Sequence, residues 1–585
     1  MPAFTTRRMI WAGAAIVVVA LLAIIVFPLV ASATIARSLI VEELAERTGY
    51  RVTLGKPPEI TIWPRFGAVL REVEFHQSEE AGLRPAVAVR QIDIDLALLA
   101  SLGGHAELET IDLRSPVFAL QRSGGRLEIP RPANPGQLAQ IIGNAGKGAV
   151  PRQAALGTVR FHDGRIVEME NGRDVATNLG GIASWPMSDA PAQLKASGTW
   201  EGTAFQIDAG ISAPVPLLQG DASNVLVNFS SELVTIGVRG TVSEIPIPIF
   251  DGAIDAKAAK LGDALEWFGI EIGAAAGSAN ISVSGQASGT LERLRLPEAN
   301  VTFNETPGAG LLELSIANGI PAVGGTLAFD RLDLLDFFSS SGQRFDALHG
   351  DLDFTNQFGL DLRLSAREAT MLGQTLSDVA ASAQVRPGFA AFNITDATLL
   401  DGILQVGFRG ERSDQGDKGS LRVATTDIPV APLLALMGIS MDAVTAKTTL
   451  TATLTGPMEE ENDFLRRMSG TIEGSLSGGA IRKFDVSKLA DQTGAGYLPL
   501  ASLAAGTTTI NGGQFKANLS GGVAGIEQAT LDTPNEVLWI NGIIPYAGRS
   551  LAVTCRVEPK AGDTDTSTFF VGGSWDAPFI TAARP

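Results

Sequence analysis

Leu360-Asp361-Leu362-Arg363-Leu364-Ser365 sets an aliphatic side chain at every second position and a polar one between. Successive side chains of an extended strand point to opposite faces, so period two is the signature of a half-buried β-strand. The same alternation recurs at Ile92, Ile94 and Leu96 against Asp93 and Asp95, and at Leu352 and Phe354 against Asp351 and Asp353. It returns at Ile281 and Val283, Leu327 and Phe329, Phe515 to Leu519, and Leu551, Val553, Cys555 and Val557, with Gly, Asn or Asp turns between. From Arg51 onward the chain therefore reads as mostly β, largely antiparallel. Helical spacing is confined to Leu261 to Phe268, Leu332 to Phe338, Val430 to Met437 and Asn462 to Met468. These few helices cannot cover a long one-sided sheet. Such a sheet must close as a sandwich, roll into a barrel, or hold something apolar in its hollow.

Composition narrows the function classes. The chain has 585 residues, 45% of them apolar, which is ample for a core and argues against disorder. Its 45 basic and 63 acidic residues give a net charge of −18, the wrong sign for a nucleic-acid binder. Cys555 is the only cysteine, so neither an intrachain disulfide nor a four-cysteine zinc site can form.

Residues 9–31 read MIWAGAAIVVVALLAIIVFPLVA, without a charge. As a helix this run extends about 34 Å, enough to span a bilayer. Arg7 and Arg8 precede it, whereas Glu42, Glu43 and Glu46 follow, so residues 1–8 are expected on the cytoplasmic side and the bulk of the chain outside. A cleaved signal peptide is the competing reading, since Ala31-Ser32-Ala33 resembles an A-x-A site, but the apolar run exceeds the usual length of such segments. A short helix over Ile35 to Thr48 is expected to stop at Gly49. Residues 131–152, with three Pro and four Gly, read as a linker.

No constellation points to chemistry. His76, His105, His162 and His349 lack the spacing of metal or acid/base sites. Gly143 to Gly148 has too few residues between its glycines for a phosphate loop, and the Gly-x-Ser-x-Gly elbow is absent. Asp563 and Asp565 lack the Gly and distal Glu of a calcium loop. Asp93 and Asp95 lie on one strand face at a spacing that could suit glycosidase acids, but the pattern's recurrence makes a solvated outer face the simpler reading. No catalytic residue, metal ligand or cofactor site is assigned, and the protein is expected not to be an enzyme.

The order of motifs resembles the AsmA family of bacterial envelope proteins. At the N-terminus the order runs anchor, short helix, Gly49-Tyr50-Arg51-Val52-Thr53-Leu54, Ile60-Thr61-Ile62-Trp63-Pro64, then Val89 to Leu99 with Gly103-Gly104, and Leu113 to Leu120 followed by Gly124-Gly125. At the C-terminus it continues with Val430 to Leu436, Thr448 to Gly456, Met468 to Gly474, Gly478 to Ile481, Asn511 to Phe515 and Gly572 to Pro578. Arg482-Lys483-Phe484-Asp485 departs from the pattern by lacking its second Gly. The resemblance covers residues 1–130 and 425–585.

It implies an inner-membrane protein with a transmembrane helix (9–31), an N-terminal β module (32–130), the linker (131–152), a middle β-groove region (153–424) and a C-terminal β region (425–585). The implied fold is a long curved sheet with an apolar groove. The implied role is periplasmic: binding phospholipid acyl chains for lipid transport between inner and outer membranes and for outer-membrane homeostasis. Expected lipid-facing residues are Ile92, Ile94, Leu96, Leu352, Phe354, Leu360, Leu362, Leu364, Leu551, Val553 and Val557. The alternative is a scaffold without lipid that supports outer-membrane protein biogenesis beside an envelope partner.

Overall fold

A computed structural model describes residues 41–583, apart from 62–66, 78–83, 97–107, 133–156, 244–246, 271–278, 338–351, 437–442, 459–463, 491–495, 500–505, 561–565 and single or paired positions elsewhere. The membrane anchor expected over 9–31 and almost all of the linker expected over 131–152 lie outside the described residues. Among the described residues no helix is long and apolar enough to cross a membrane. Among the described residues strand dominates and helices are few and short, and the chain divides into two compact units. The N-terminal unit runs to Ala256 and includes Ala287–Leu291, and the C-terminal unit comprises the rest.

In the N-terminal unit, Gly67–His76 pairs antiparallel with Arg51–Leu54, Glu59–Thr61 and Val87–Leu96. Val87–Leu96 then pairs with Leu108–Ser123. A short helical segment precedes them, and Leu44, Val41 and Ala45 pack on Val52, Leu54, Leu70, Val73, Phe75, Ile92 and Ile94. Gly49 ends this helix as expected: its φ of 78° is the left-handed conformation of a C-terminal cap, and its N–H donates to the Ala45 carbonyl at 2.7 Å.

Leu108–Ser123 and Gly157–Glu168 run parallel, after which an antiparallel meander continues through Asp174–Trp185, Ala192–Trp200, Thr203–Ile211, Ser223–Ser231 and Val234–Ser243. Parallel neighbours cannot be joined by a tight turn, because the chain must return the full strand length before pairing again.

The C-terminal unit repeats this plan. Arg293–Phe303, Thr306–Ala317 and Ile320–Asp333 are antiparallel, and Ile320–Asp333 lies parallel to Gly359–Met371. A meander follows from Gln374–Arg386 to Ala577–Ala582, whose outer side, among the described residues, pairs with Leu498–Pro499. Several hairpins turn through two left-handed residues, as at Asn304-Glu305 and Leu400-Asp401, a geometry that matches the right-handed twist of the flanking strands. Glycine or Asn normally occupies these positions, so Leu400, at φ 51° and 43% exposed, is an uncomfortable choice.

Three local expectations are corrected or refined. Residues 352–354 are not a strand: Asp353–Asn356 forms a 3-10 turn, because Thr355 Oγ donates to the Leu352 carbonyl and accepts the Gly388 N–H at 2.9 Å, giving the backbone a local alternative to the ladder. Leu332 and Asp333 still belong to a strand, and helix within the segment expected over Leu332 to Phe338 is found at Leu334 and Phe337. Helices at Leu261–Trp267, Val430–Leu436 and Phe464–Arg467 fall within their expected segments, whereas Pro214–Leu218 and Ser487–Ala490 were not anticipated.

Candidate functional site: an apolar face in continuous register

Strand register converts the alternation into a surface. In the N-terminal unit Leu70 lies opposite Ile92, and the row continues through Leu113, Phe161, Gly181, Ala196, Ile207, Phe229 and Ile236, nine consecutive strands without a polar side chain. Two residues along each strand a second row runs through Ala68, Ile94, Ile111, Val159, Ala183, Leu194, Ala209, Val227 and Val238. At about 4.8 Å per strand, eight steps extend about 38 Å.

The C-terminal unit carries a longer row. It begins Ala299, Gly310, Leu327, Leu364, Ala381, Ile394, Val406 and Val423. It continues Ala452, Ile472, Ala517, Ile526, Gly542, Val553, Val571 and Ile580. The parallel row through Leu362 likewise passes Ala383, Phe392, Phe408, Leu421 and Leu454.

The opposite face is polar. Arg363 is followed in register by Ser382 and Asn393, and Arg422 by Thr453, Thr471 and Asn518. Asp93 accepts from Gln91 and pairs with Arg114 at 3.0 Å, and Lys195 meets Asp208 at 3.2 Å, so these acids form ion pairs on an outer face. His76 lies 3.0 Å from Glu74 and His162 3.6 Å from Asp112, while His105 and His349 lie outside the described residues. Among the described residues no group of His, Cys, Asp and Glu could hold a metal ion. Burial pushes the Cys555 thiol up to about 11, which keeps it protonated and unreactive at neutral pH.

Burial along the apolar rows is uneven. Leu70 and Ile92 are sealed by the helix and strands around them, but from Leu113 to Ile236 every member of the first row is only half-buried. In the C-terminal unit Leu327, Leu364, Ala381 and Ile394 are buried, while Val406, Val423, Ile472, Ala517, Ile526, Val553 and Val571 are half-buried.

Both margins of this second face are covered. On one, Leu352, Phe354, Phe358 and Met458 pack over Val385, Ala390 and Phe408. A Cβ at Gly410 would sit 3.0 Å from Met458 Sδ and 3.3 Å from Leu352 Cδ2, so glycine lets this cover lie close against the sheet and a larger residue would push these two side chains back by a few tenths of an ångström. On the other, Val430, Val444, Ala446, Ile481 and Ile510 cluster. The first cover is pinned by Asp417, which accepts the Leu352 N–H at 2.8 Å and Arg412 Nε at 3.1 Å, while Arg412 also reaches Asp353 at 2.8 Å. Arg412 holds the Asp417 carboxyl below its ordinary range and is itself raised by the two carboxylates.

The expected lipid-facing residues are thereby sorted. Ile92 and Ile94 lie on the N-terminal rows at their sealed end. Leu362 and Leu364 lie on the C-terminal rows with 6% and 4% exposure, and Leu360 packs against the Leu352 cover. Leu352 and Phe354 are part of that cover rather than of a strand. Leu551 and Val553 sit half-buried on the same face, and Val557 is buried with Leu538, Val486 and Leu489. The Leu96 side chain lies outside the described residues. The half-open stretch around Ala196, Ile207 and Phe229 was not singled out from the sequence. Its signal was present in Phe205-Gln206-Ile207-Asp208-Ala209, but Ala and Gly dilute the apolar phase.

No family model, no curated protein and no solved structure matches this chain.

Proposed function

We propose that the protein is a non-enzymatic, membrane-anchored lipid carrier of AsmA type. Its exported part would bind phospholipid acyl chains along the apolar rows and assist their passage between inner and outer membranes. The observation that carries this reading is the half-buried run from Leu113 to Ile236, where apolar register over seven strands meets incomplete cover. Six steps of about 4.8 Å give about 29 Å, longer than one leaflet's hydrocarbon depth of about 15 Å. Transferring a methylene from water contributes about 0.8 kcal/mol, so a chain of about 15 methylenes gains about 12 kcal/mol before entropy losses. Such a surface lowers the cost of moving an acyl chain but sets no direction. The anchor at 9–31 would hold the protein in the inner membrane with its bulk in the periplasm.

Native mass spectrometry of the full chain, expressed in bacteria and purified gently, tests this. Discrete adducts of phospholipid mass are expected, and a lipid-free spectrum under conditions that retain the fold overturns the reading. One observation favours the second reading of a scaffold: among the described residues the strand Ala577–Ala582 is paired on its outer side at two positions, Phe579 and Ile580, so this margin of the sheet is a place for strand addition by an envelope partner.

A further inference from the structure

The polar outer face of the N-terminal unit is not uniformly paired off. Lys195 meets Asp208 at 3.2 Å, and Arg173 meets Glu201 at 2.7 Å. Between these two pairs along the strands lies a different kind of surface. Gln206 faces Ser197 on one neighbouring strand and Ser230 on the other. These three alternate with Ala196, Phe205, Ile207 and Phe229, so they stand on the face opposite the apolar rows. Two residues nearer the turn, Thr199 faces Ala204, and a bulge between Thr177 and Gly180 adds the exposed Asn178, at φ 53°, to the same face. Ala204 carries only a methyl group, which leaves a hollow among the longer side chains around it. With Glu232 these residues line an open cleft of about 450 Å³.

The chemistry of this lining is narrow. Asn178 and Gln206 offer amide donors and acceptors, Ser197, Thr199 and Ser230 offer hydroxyls that do both, and Glu232 accepts only. Among the described residues none of these six side chains has a hydrogen-bond or ion-pair partner within the protein, so their capacity is open to a ligand. An acyl chain would strip them of water and leave every one unsatisfied. An anion would meet the Glu232 carboxylate and no cation, because no Lys or Arg lines the cleft and Lys195 is engaged by Asp208. A folded protein partner draws its affinity from buried aromatic and aliphatic anchors, and here the Phe205 ring stacks on Phe229 on the apolar side of the sheet. A ligand whose many groups each donate and accept, without net negative charge, matches what is left.

We infer that this cleft is a binding site for a short neutral sugar chain, held by Asn178, Gln206, Ser230 and Glu232. From the strand of Asn178 to that of Ser230 is three strand steps, about 14 Å, which suits an oligosaccharide lying across the strands. The volume falls within the range of small-molecule sites, about 300–1,000 Å³. Because the lining has no aromatic platform and stays open to water, binding is weak, with a dissociation constant of about 1 mM. The cleft lies on the face opposite the half-open rows, so it goes beyond the acyl-chain reading and stands whether or not those rows carry lipid.

Saturation-transfer NMR on the full chain in phosphatidylcholine nanodiscs, which carry no sugar headgroups, tests this. The probes are the neutral cellotriose, maltotriose and triacetylchitotriose, with trigalacturonate as an anion of similar size. Transfer to at least one neutral probe and none to trigalacturonate is expected. Gln206→Ala with Ser230→Ala removes two partners and should weaken the dissociation constant about tenfold. Asn178→Gly, which keeps the left-handed backbone, should weaken it severalfold on its own. All three positions are exposed, so thermal melts of these variants should match the parent. Thr453→Ala with Thr471→Ala, on the outer face of the C-terminal unit, should change nothing. No transfer to any neutral probe, stronger transfer to trigalacturonate, unchanged affinity in the folded cleft variants, or an equal loss in the Thr453 and Thr471 control overturns the inference.

Discussion

Replacing Leu362 by Asp, and separately Ile207 by Asp, separates covered from open apolar face. Leu362 is 6% exposed between Gly325 and Ala383, whereas Ile207 is half-buried between Ala196 and Phe229. Removing the buried Leu forfeits about 2 kcal/mol of burial. The new carboxylate is then driven to protonate, and at pH 7 that costs about three pH units at about 1.4 kcal/mol each, or about 4 kcal/mol. The sum of about 6 kcal/mol is comparable with the whole stability of a typical domain, about 5–15 kcal/mol. The folded pKa of this Asp would lie above its unfolded value, so the penalty grows as pH rises through the unfolded value near 4 and shrinks to about 2 kcal/mol below it. Ile207→Asp keeps access to water and should cost about 1–2 kcal/mol with little pH dependence. Thermal melts of both variants and the parent at pH 7 and pH 4 measure the contrast. Equal losses for the two variants at pH 7 would show that the face around Ile207 is ordinary core, and the half-open site would go with it.

Three further outcomes follow from the packing. Because Arg412 depresses Asp417, the clamp on the Leu352 turn is complete above about pH 4 and weakens as pH falls through the lowered folded value; Asp417→Asn should abolish that acid sensitivity, read as amide exchange at residues 352–357. Cys555, buried and shifted up to about 11, should resist alkylation at pH 8 in the native protein and react fully once unfolded, and fast native labelling would contradict its placement. Leu400→Asn should raise thermal stability by up to about 1 kcal/mol, since Asn tolerates the left-handed turn that a branched apolar residue does not; a loss would mean that the exposed Leu400 side chain contributes contacts of its own.

Much of the fold was legible in period-two alternation, which placed strands from Arg51 to the C-terminus, and in Gly49, whose cap geometry is local. The turn at Leu352 was misread because two Asp residues mimic an outer face, while the deciding group is the Thr355 hydroxyl bonding its own backbone. The site was less legible than the strands. A row exists only through register, and register depends on bulges such as those between Leu296 and Ala299, Ser377 and Ala380, and Lys516 and Ala517. Pro297 marks the first of these, since proline interrupts a ladder, but the bulges at Ala380 and Ala517 leave no comparable trace. Burial was illegible for a related reason: Leu362 and Ile207 alternate alike, and only the distant Leu352, Met458 and Val444 clusters decide which face is roofed.

The parallel pairs, Leu108–Ser123 with Gly157–Glu168 and Ile320–Asp333 with Gly359–Met371, bear on how such a chain can change length over evolution. In a meander an inserted hairpin adds two strands, about 10 Å, and returns the chain to the side it left. An odd strand does not: every later turn would swap ends of the sheet. A parallel pair absorbs that change of parity, because its long return sets the direction anew. Natural relatives of this chain should therefore differ by even numbers of strands within each meander, and by single strands at parallel joints such as these two.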